Sequence, residues 1–179
     1  MRRPPAPANS PRGSGGRVAT ISNVTAAEPT ADEERVRTLL GREPRARFTV
    51  VLRHPDGDPI VIRNEAFLDD GTPLPTRFWL VDPVLNLAVS RLEAAGGVRA
   101  AQAAVDPEAL AQAHRRYAAE RDATIATDHA GPRPHGGVAG TRTGVKCLHA
   151  HYAYRLAGGD DPVGEWVEQQ LAALEADHP

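Results

Sequence analysis

An α+β fold is predicted by three observations. Two strand-like runs, at 47–53 and 59–63, flank the turn His54-Pro55-Asp56-Gly57-Asp58. A third run, Phe78-Trp79-Leu80-Val81, is apolar on both faces, as a buried strand is. Helical periodicity precedes and follows these runs. The expected architecture is a small antiparallel sheet of about three strands covered by four helices, with a disordered N-terminal arm ahead of it.

Each element has its own signal. Residues 1–28 carry Pro4, Pro5, Pro7, Pro11, Gly13, Gly15, Gly16 and four arginines against the single acid Glu28, a composition that cannot bury a core. The domain is therefore expected over 29–179. The stretch from Val18 to Val24 is interrupted by Thr20, Ser22 and Asn23, too polar for the apolar core of a secretory signal, so a cytoplasmic location is expected. A helix should start near Asp32, capped by Thr30, with Val36, Leu39 and Leu40 on one face, and end at Gly41 and Pro44. Asp82-Pro83 opens a second helix with Leu85, Val89 and Leu92 as its buried stripe and Gly96-Gly97 as its stop. Asp106-Pro107 repeats that opening, and Leu110, His114, Tyr117, Arg121 and Ile125 trace one face at 3.6 residues per turn. Residues 128–144 read as a Pro- and Gly-rich loop or lid, 145–157 as a helix, and 163–174 as a last helix packing Val163, Trp166, Val167, Gln170, Leu171 and Leu174.

The 179 residues are 41% hydrophobic and 25% charged, with 23 acids against 21 bases, a globular balance that disfavours a nucleic-acid binder. No apolar run has the ~18 to 20 residues of a membrane span. Partners are not identified; the helices or the basic arm are the places where a protein partner would dock. The one cysteine, Cys147, excludes an internal disulfide. Of the 21 bases only Lys146 is lysine, and it stands beside that cysteine in Val145-Lys146-Cys147-Leu148-His149-Ala150-His151.

This segment carries the chemistry. Cys147, His149 and His151 place three soft or borderline donors within five residues. A helix through all three puts Cys147 and His151 on one face; an extended Cys147 lets it converge with His149 instead. Both backbones are compatible with the sequence. A tetrahedral site needs further ligands, for which His54 and Asp82, at a turn and a strand end, are the attractive pair and Asp56 a lesser one. Simpler roles compete: Asp82 suffices as a helix cap, His54 and Asp56 suit a solvated turn, His114 suits a satisfied core position, and Cys147 suits a small buried hydrophobe. His129 and His135 fall in the loop. Without a metal, the glycine-rich 136–144 stretch with Arg142 and Lys146 could surround an anion at a helix start, and Cys147 could act as a nucleophile with a neighbouring histidine as base. The spacing matches neither a Walker loop nor a Cys-x5-Arg phosphatase loop.

The segments Pro73-Leu74-Pro75-Thr76-Arg77-Phe78-Trp79-Leu80-Val81-Asp82-Pro83, Ser90-Arg91-Leu92-Glu93-Ala94, Gly137-Val138-Ala139-Gly140, Val145 to Tyr152 and Asp161-Pro162-Val163-Gly164 resemble the bacterial family catalogued as domain of unknown function 501, over roughly 32–170. The resemblance implies that cysteine or histidine is common at the position of Asp82 and cysteine in the turn at 54–57. His54, Asp56 and Asp82 stay within the set of metal ligands, with harder oxygen donors. It also favours His149 over His151. The reading is a metal-binding protein, zinc first and iron second, with Cys147, His149, His54 and Asp82 as ligands and a hydrolytic reaction where water fills a position. The alternatives are a metal-free cysteine-dependent or anion-binding enzyme and a non-catalytic interaction module.

Overall fold

A computed structural model describes residues 29–176; the arm expected over 1–28 lies outside the described residues. The chain runs α1 (Ala31–Leu40), β1 (Phe48–Arg53), β2 (Pro59–Asn64), β3 (Phe78–Leu80), α2 (Pro83–Ala94), α3 (Gly97–Ala104), α4 (Pro107–Asp122), a 3-10 turn (Val138–Gly140), α5 (Leu148–Leu156) and α6 (Pro162–Ala176). This is the expected α+β class, with an antiparallel sheet in the order β1-β2-β3 and, among the described residues, six α-helices rather than four. Among the described residues no helix is long and apolar enough to cross a membrane.

β2 is central and is buried on both faces. Ile62, fully buried, packs toward α1 with Val36 and Val81. Val61 points the other way, into the main core beneath α2, α4, α5 and α6. Alternate residues of a strand face opposite sides, so one β2 segment divides the molecule into a thin layer and a thick one. α1 starts with the expected cap: the Thr30 hydroxyl accepts from the Glu33 amide at 3.2 Å, while the Glu33 carboxylate accepts from the Thr30 amide at 2.7 Å.

In the thick layer, Phe78, Tyr117 and Tyr154 form a ring cluster with centroids 5.0 to 5.9 Å apart, which ties β3 to α4 and α5. Leu110, His114, Tyr117 and Arg121 of α4 are all buried, as their spacing predicts. The 128–144 segment is not a detached lid. His114 clamps it: its Nδ1 accepts from the Val138 amide at 3.1 Å and its Nε2 donates to the Gly144 carbonyl at 3.1 Å. Burial holds the His114 imidazole below its ordinary pKa, and the neutral ring is the form that can accept at one nitrogen while donating at the other. Arg121, buried in α4, donates to the Gly136 carbonyl at 2.7 Å and pairs with Asp122 at 2.8 Å.

α2 ends just before Gly96-Gly97, as the sequence suggested, but a helix the sequence did not announce follows at once. Gly96 takes φ +91° and α3 starts at the next residue. Glycine there reverses the chain tightly enough to launch a new helix.

α5 and α6 are joined through a buried pair. His151, fully buried, donates through Nδ1 to Asp161 Oδ2 at 2.7 Å. The other Asp161 oxygen accepts from the Val163 and Gly164 amides, each at 2.9 Å, and so caps α6. At Gly164 a Cβ would lie 2.4 Å from Arg155 Cβ and 2.7 Å from the His151 carbonyl oxygen, so the helices touch where no side chain fits.

Asp161→Ala removes the partner of a sealed imidazole and two capping bonds together. It is expected to lower unfolding free energy by about 3 to 5 kcal/mol, read from urea denaturation, the range for breaking one side of a buried pair.

Candidate metal centre

The backbone of one residue decides between the two geometries open to the Cys147 segment. Cys147 is extended, with φ −155° and ψ 122°, and α5 begins only at Leu148. The cysteine and the first-turn histidine therefore converge, with Cys147 Sγ 3.9 Å from His149 Nδ1. His151, one turn further on, is carried into the core against Asp161 and is no partner of the sulfur.

The third member comes from α2. Glu93 Oε1 lies 3.3 Å from His149 Nδ1 and accepts from the Leu148 amide at 2.6 Å. It thus caps the start of α5, where amides lack partners and the helix dipole favours a negative charge. Glu93, Cys147 and His149 offer ligand atoms all within 4.8 Å of one another, the group of three such residues found among the described residues. Each is part-buried.

The other imidazole nitrogen is engaged as well. His149 Nε2 donates to the Asn86 carbonyl at 3.1 Å, with Ser90 Oγ at 3.2 Å. A backbone carbonyl only accepts, so the proton sits on Nε2 and the Nδ1 position faces the sulfur and the carboxylate. Metal-binding histidines are commonly oriented by a second-nitrogen bond of this kind. Two of the three donor spacings suit a small cation: ligand atoms at the corners of a tetrahedral zinc with bonds of ~2.0 to 2.3 Å stand ~3.4 to 3.6 Å apart. The observed 3.3 and 3.9 Å are within a few tenths of an ångström of that. Without a cation, a proton does its work. The His149 pKa is pushed up to about 9, above all by the hydrogen bond with Cys147, with the Asn86 carbonyl and the Glu93 charge adding to it and burial opposing it.

The remaining expected ligands are placed elsewhere. His54 Nε2 lies 2.9 Å from Asp82 Oδ2, and Asp82 Oδ1 accepts from the Leu85 amide at 2.7 Å as the α2 cap. These two residues meet each other, and are not gathered with Cys147 and His149. Asp56 Oδ1 accepts from the Asp58 amide at 3.0 Å in an exposed turn. The anion cradle expected around Arg142 and Lys146 is not built. Both side chains are exposed, the loop amides of Gly137, Gly140 and Thr141 are spent on loop carbonyls, and the α5 start already holds the Glu93 carboxylate.

Glu93 was not anticipated as a ligand. Its signal was present in α2, where Asn86, Ser90 and Glu93 recur at helical spacing as a part-buried polar stripe while Val84 and Leu87 are 73% and 52% exposed. Cys147 and His149 line a cleft of about 350 Å³ between β3, the α2 residues Asn86 and Ser90, and the first turn of α5.

The comparisons agree with the blocks recognised in the sequence. The model of a family described as "Protein of unknown function (DUF501)" matches residues 50–169, a span that includes every side chain of the triad. No curated protein and no solved structure matches the chain.

Two outcomes are expected. In metal-free protein, the His149 ring protons followed by NMR titrate near pH 9, and Cys147→Ser brings the midpoint down. Since the folded-state pKa lies above the ordinary 6.5, this stabilising contribution is complete below pH 6.5 and is lost as pH rises through about 9. Asp82→Ala lowers stability by about 1 to 2 kcal/mol in denaturant melts through loss of the α2 cap, and leaves the chemistry at Cys147 unchanged.

Proposed function

The chain belongs to the DUF501 family, whose matched region spans the whole of the site, and on that footing we propose that it binds one transition-metal ion, zinc, through Glu93, Cys147 and His149. The observation that carries this reading is the convergence of a sulfur, an imidazole nitrogen and a carboxylate oxygen within 4.8 Å, drawn from two segments 54 residues apart at Glu93 and Cys147. The donor set supports zinc first, because thiolate, imidazole and carboxylate are its ordinary ligands, and ferrous iron second. Three protein ligands leave one position for water or substrate, the arrangement of catalytic rather than structural zinc. An ion held there supplies Lewis acidity and an acidified water, the chemistry of metal-assisted hydrolysis. Ser90 and Asn86 orient the imidazole from behind, and Phe78, Trp79 and Leu80 form the apolar wall that a substrate meets.

A second reading has its own supporting observation, the 3.9 Å approach of Cys147 to a histidine that keeps its proton to about pH 9. An imidazolium beside a thiol favours the thiolate, so the pair could serve as a metal-free nucleophile.

Elemental analysis of untagged protein, together with alkylation of Cys147 by iodoacetamide, separates the two. The metal reading expects stoichiometric zinc, its loss in Cys147→Ala, weaker retention in Glu93→Gln, and protection of the thiol when zinc is restored to stripped protein. Protein that takes up neither zinc nor ferrous iron, with a thiol that alkylates fast at neutral pH, supports the nucleophile instead. Slow alkylation without metal uptake ends both.

A further inference from the structure

β2 is buried along its length except at Arg63, its one exposed residue, next to the strand's end. On the neighbouring strand Phe78 stands opposite Arg63, and the Asn64 amide donates to the Arg77 carbonyl at 2.7 Å. The register therefore brings two arginines to the same end of the sheet, Arg63 on β2 and Arg77 just before β3. Both line a pocket of about 200 Å³ between the start of β1, the end of β2, the loop after it and Thr124, which follows α4. This pocket shares no lining residue with the cleft beside Cys147.

Arg77 is half-buried and held in place from several sides. Its backbone amide donates to the Tyr117 hydroxyl, its Nη1 donates to the Glu120 carbonyl, and its Cζ lies 5.8 Å from the centre of the Phe78 ring. Nε and Nη2, the side-on edge of the guanidinium, have no acceptor among the described residues. Such an edge grips an oxyanion through two parallel bonds. Neither Arg63 nor Arg77 forms an ion pair among the described residues, although Arg35, Arg53 and Arg121 on adjoining elements each do. The nearby acids leave them unpaired: Glu120 Oε1 accepts from the Tyr154 hydroxyl at 2.7 Å, and Glu65 is an exposed residue of the pocket. Burial, and after it the charge of Arg63, hold the Arg77 guanidinium below its ordinary pKa. It stays protonated all the same, so two like charges share one pocket.

We propose that this pocket binds the phosphate group of a small phosphate monoester between Arg63 and Arg77. Such a group is doubly negative above about pH 6, which matches two cations. Its three outer oxygens accept from two guanidinium edges at once, whereas a carboxylate brings two oxygens and a single charge. The Thr49 hydroxyl lines the pocket as a further donor, while the Thr124 hydroxyl already donates to the Arg121 carbonyl at 2.7 Å. Ala66 and Phe67 give the ester carbon an apolar wall, and the Phe67 ring is itself backed by His129, with ring centroids 4.6 Å apart. None of these groups touches the triad, so the phosphate site is independent of the zinc reading.

The test is calorimetry and amide NMR on full-length protein, with phenyl phosphate as the probe and the singly charged phenyl sulfate and benzoate as comparisons. The expected result is saturable one-to-one binding that shifts the Arg63 and Arg77 amides, and affinities lower by about tenfold or more for the two comparison anions. Arg63→Gln, at an exposed position, lowers phenyl phosphate affinity by about tenfold with the melting temperature unchanged. Arg77→Lys keeps the charge but not the two-pronged edge, and lowers it as well. Absence of a saturable shift at about 10 mM phenyl phosphate, full affinity in Arg63→Gln, or equal affinity for phenyl sulfate overturns the proposal. Loss of binding in Cys147→Ala also overturns it, by placing the phosphate on the metal centre. Binding that persists in that variant supports the pocket, whether or not the native protein takes up zinc.

Discussion

A single carboxylate oxygen joins the two halves of the site. Glu93 Oε1 faces His149 Nδ1 and holds the Leu148 amide, so the same atom starts α5 and sets its first turn against α2. The arrangement is demanding, because a part-buried carboxylate without positive neighbours is costly. Here an amide at a helix start and an imidazole that holds a second proton supply what it needs. A metal ion would take over the role of that proton, releasing it on binding, which is how metal affinity becomes pH-dependent. The thiol, the imidazole and the carboxylate therefore form one electrostatic unit, and none of them has its observed setting alone.

Groups that never touch the triad hold the chain leading to it. The Val145 amide donates to Gln102 Oε1 of α3 at 3.0 Å, and His114 of α4 grips the loop at Val138 and Gly144. Cys147 thus leaves a fastened segment in an extended conformation. Sulfur placement depends on α3 and α4, although neither contributes a side chain to the triad. The buried histidines divide the labour: His114 and His151 shape the core, and only His149 faces the cleft.

What could be read from the residues follows the range of the interaction concerned. The hairpin, the Thr30 and Asp82 caps and the buried stripe of α4 depend on neighbours a few positions apart, and local spacing made them legible. The choice between His149 and His151 turned on the φ and ψ of one residue, Cys147, which local propensity leaves open. Glu93 is 54 positions from Cys147 in the chain, and nothing in the spacing of either segment links them. The choice of His54 and Asp82 as ligands followed from placing them at a turn and a strand end, but both Asp82 oxygens are already engaged, one by His54 and the other by the α2 cap. α3 escaped notice because its cap and its first residue are the two glycines that ordinarily mark a stop.

The contact at Gly164 reaches further than its size suggests. With no room for one methyl group between the backbones, the bare hydrogen at this position works as a gauge for the spacing of the two C-terminal helices. Widening that gap would shift α5, whose first turn carries His149 beside Cys147. A glycine without any reactive atom thereby helps to set where the helix carrying His149 lies.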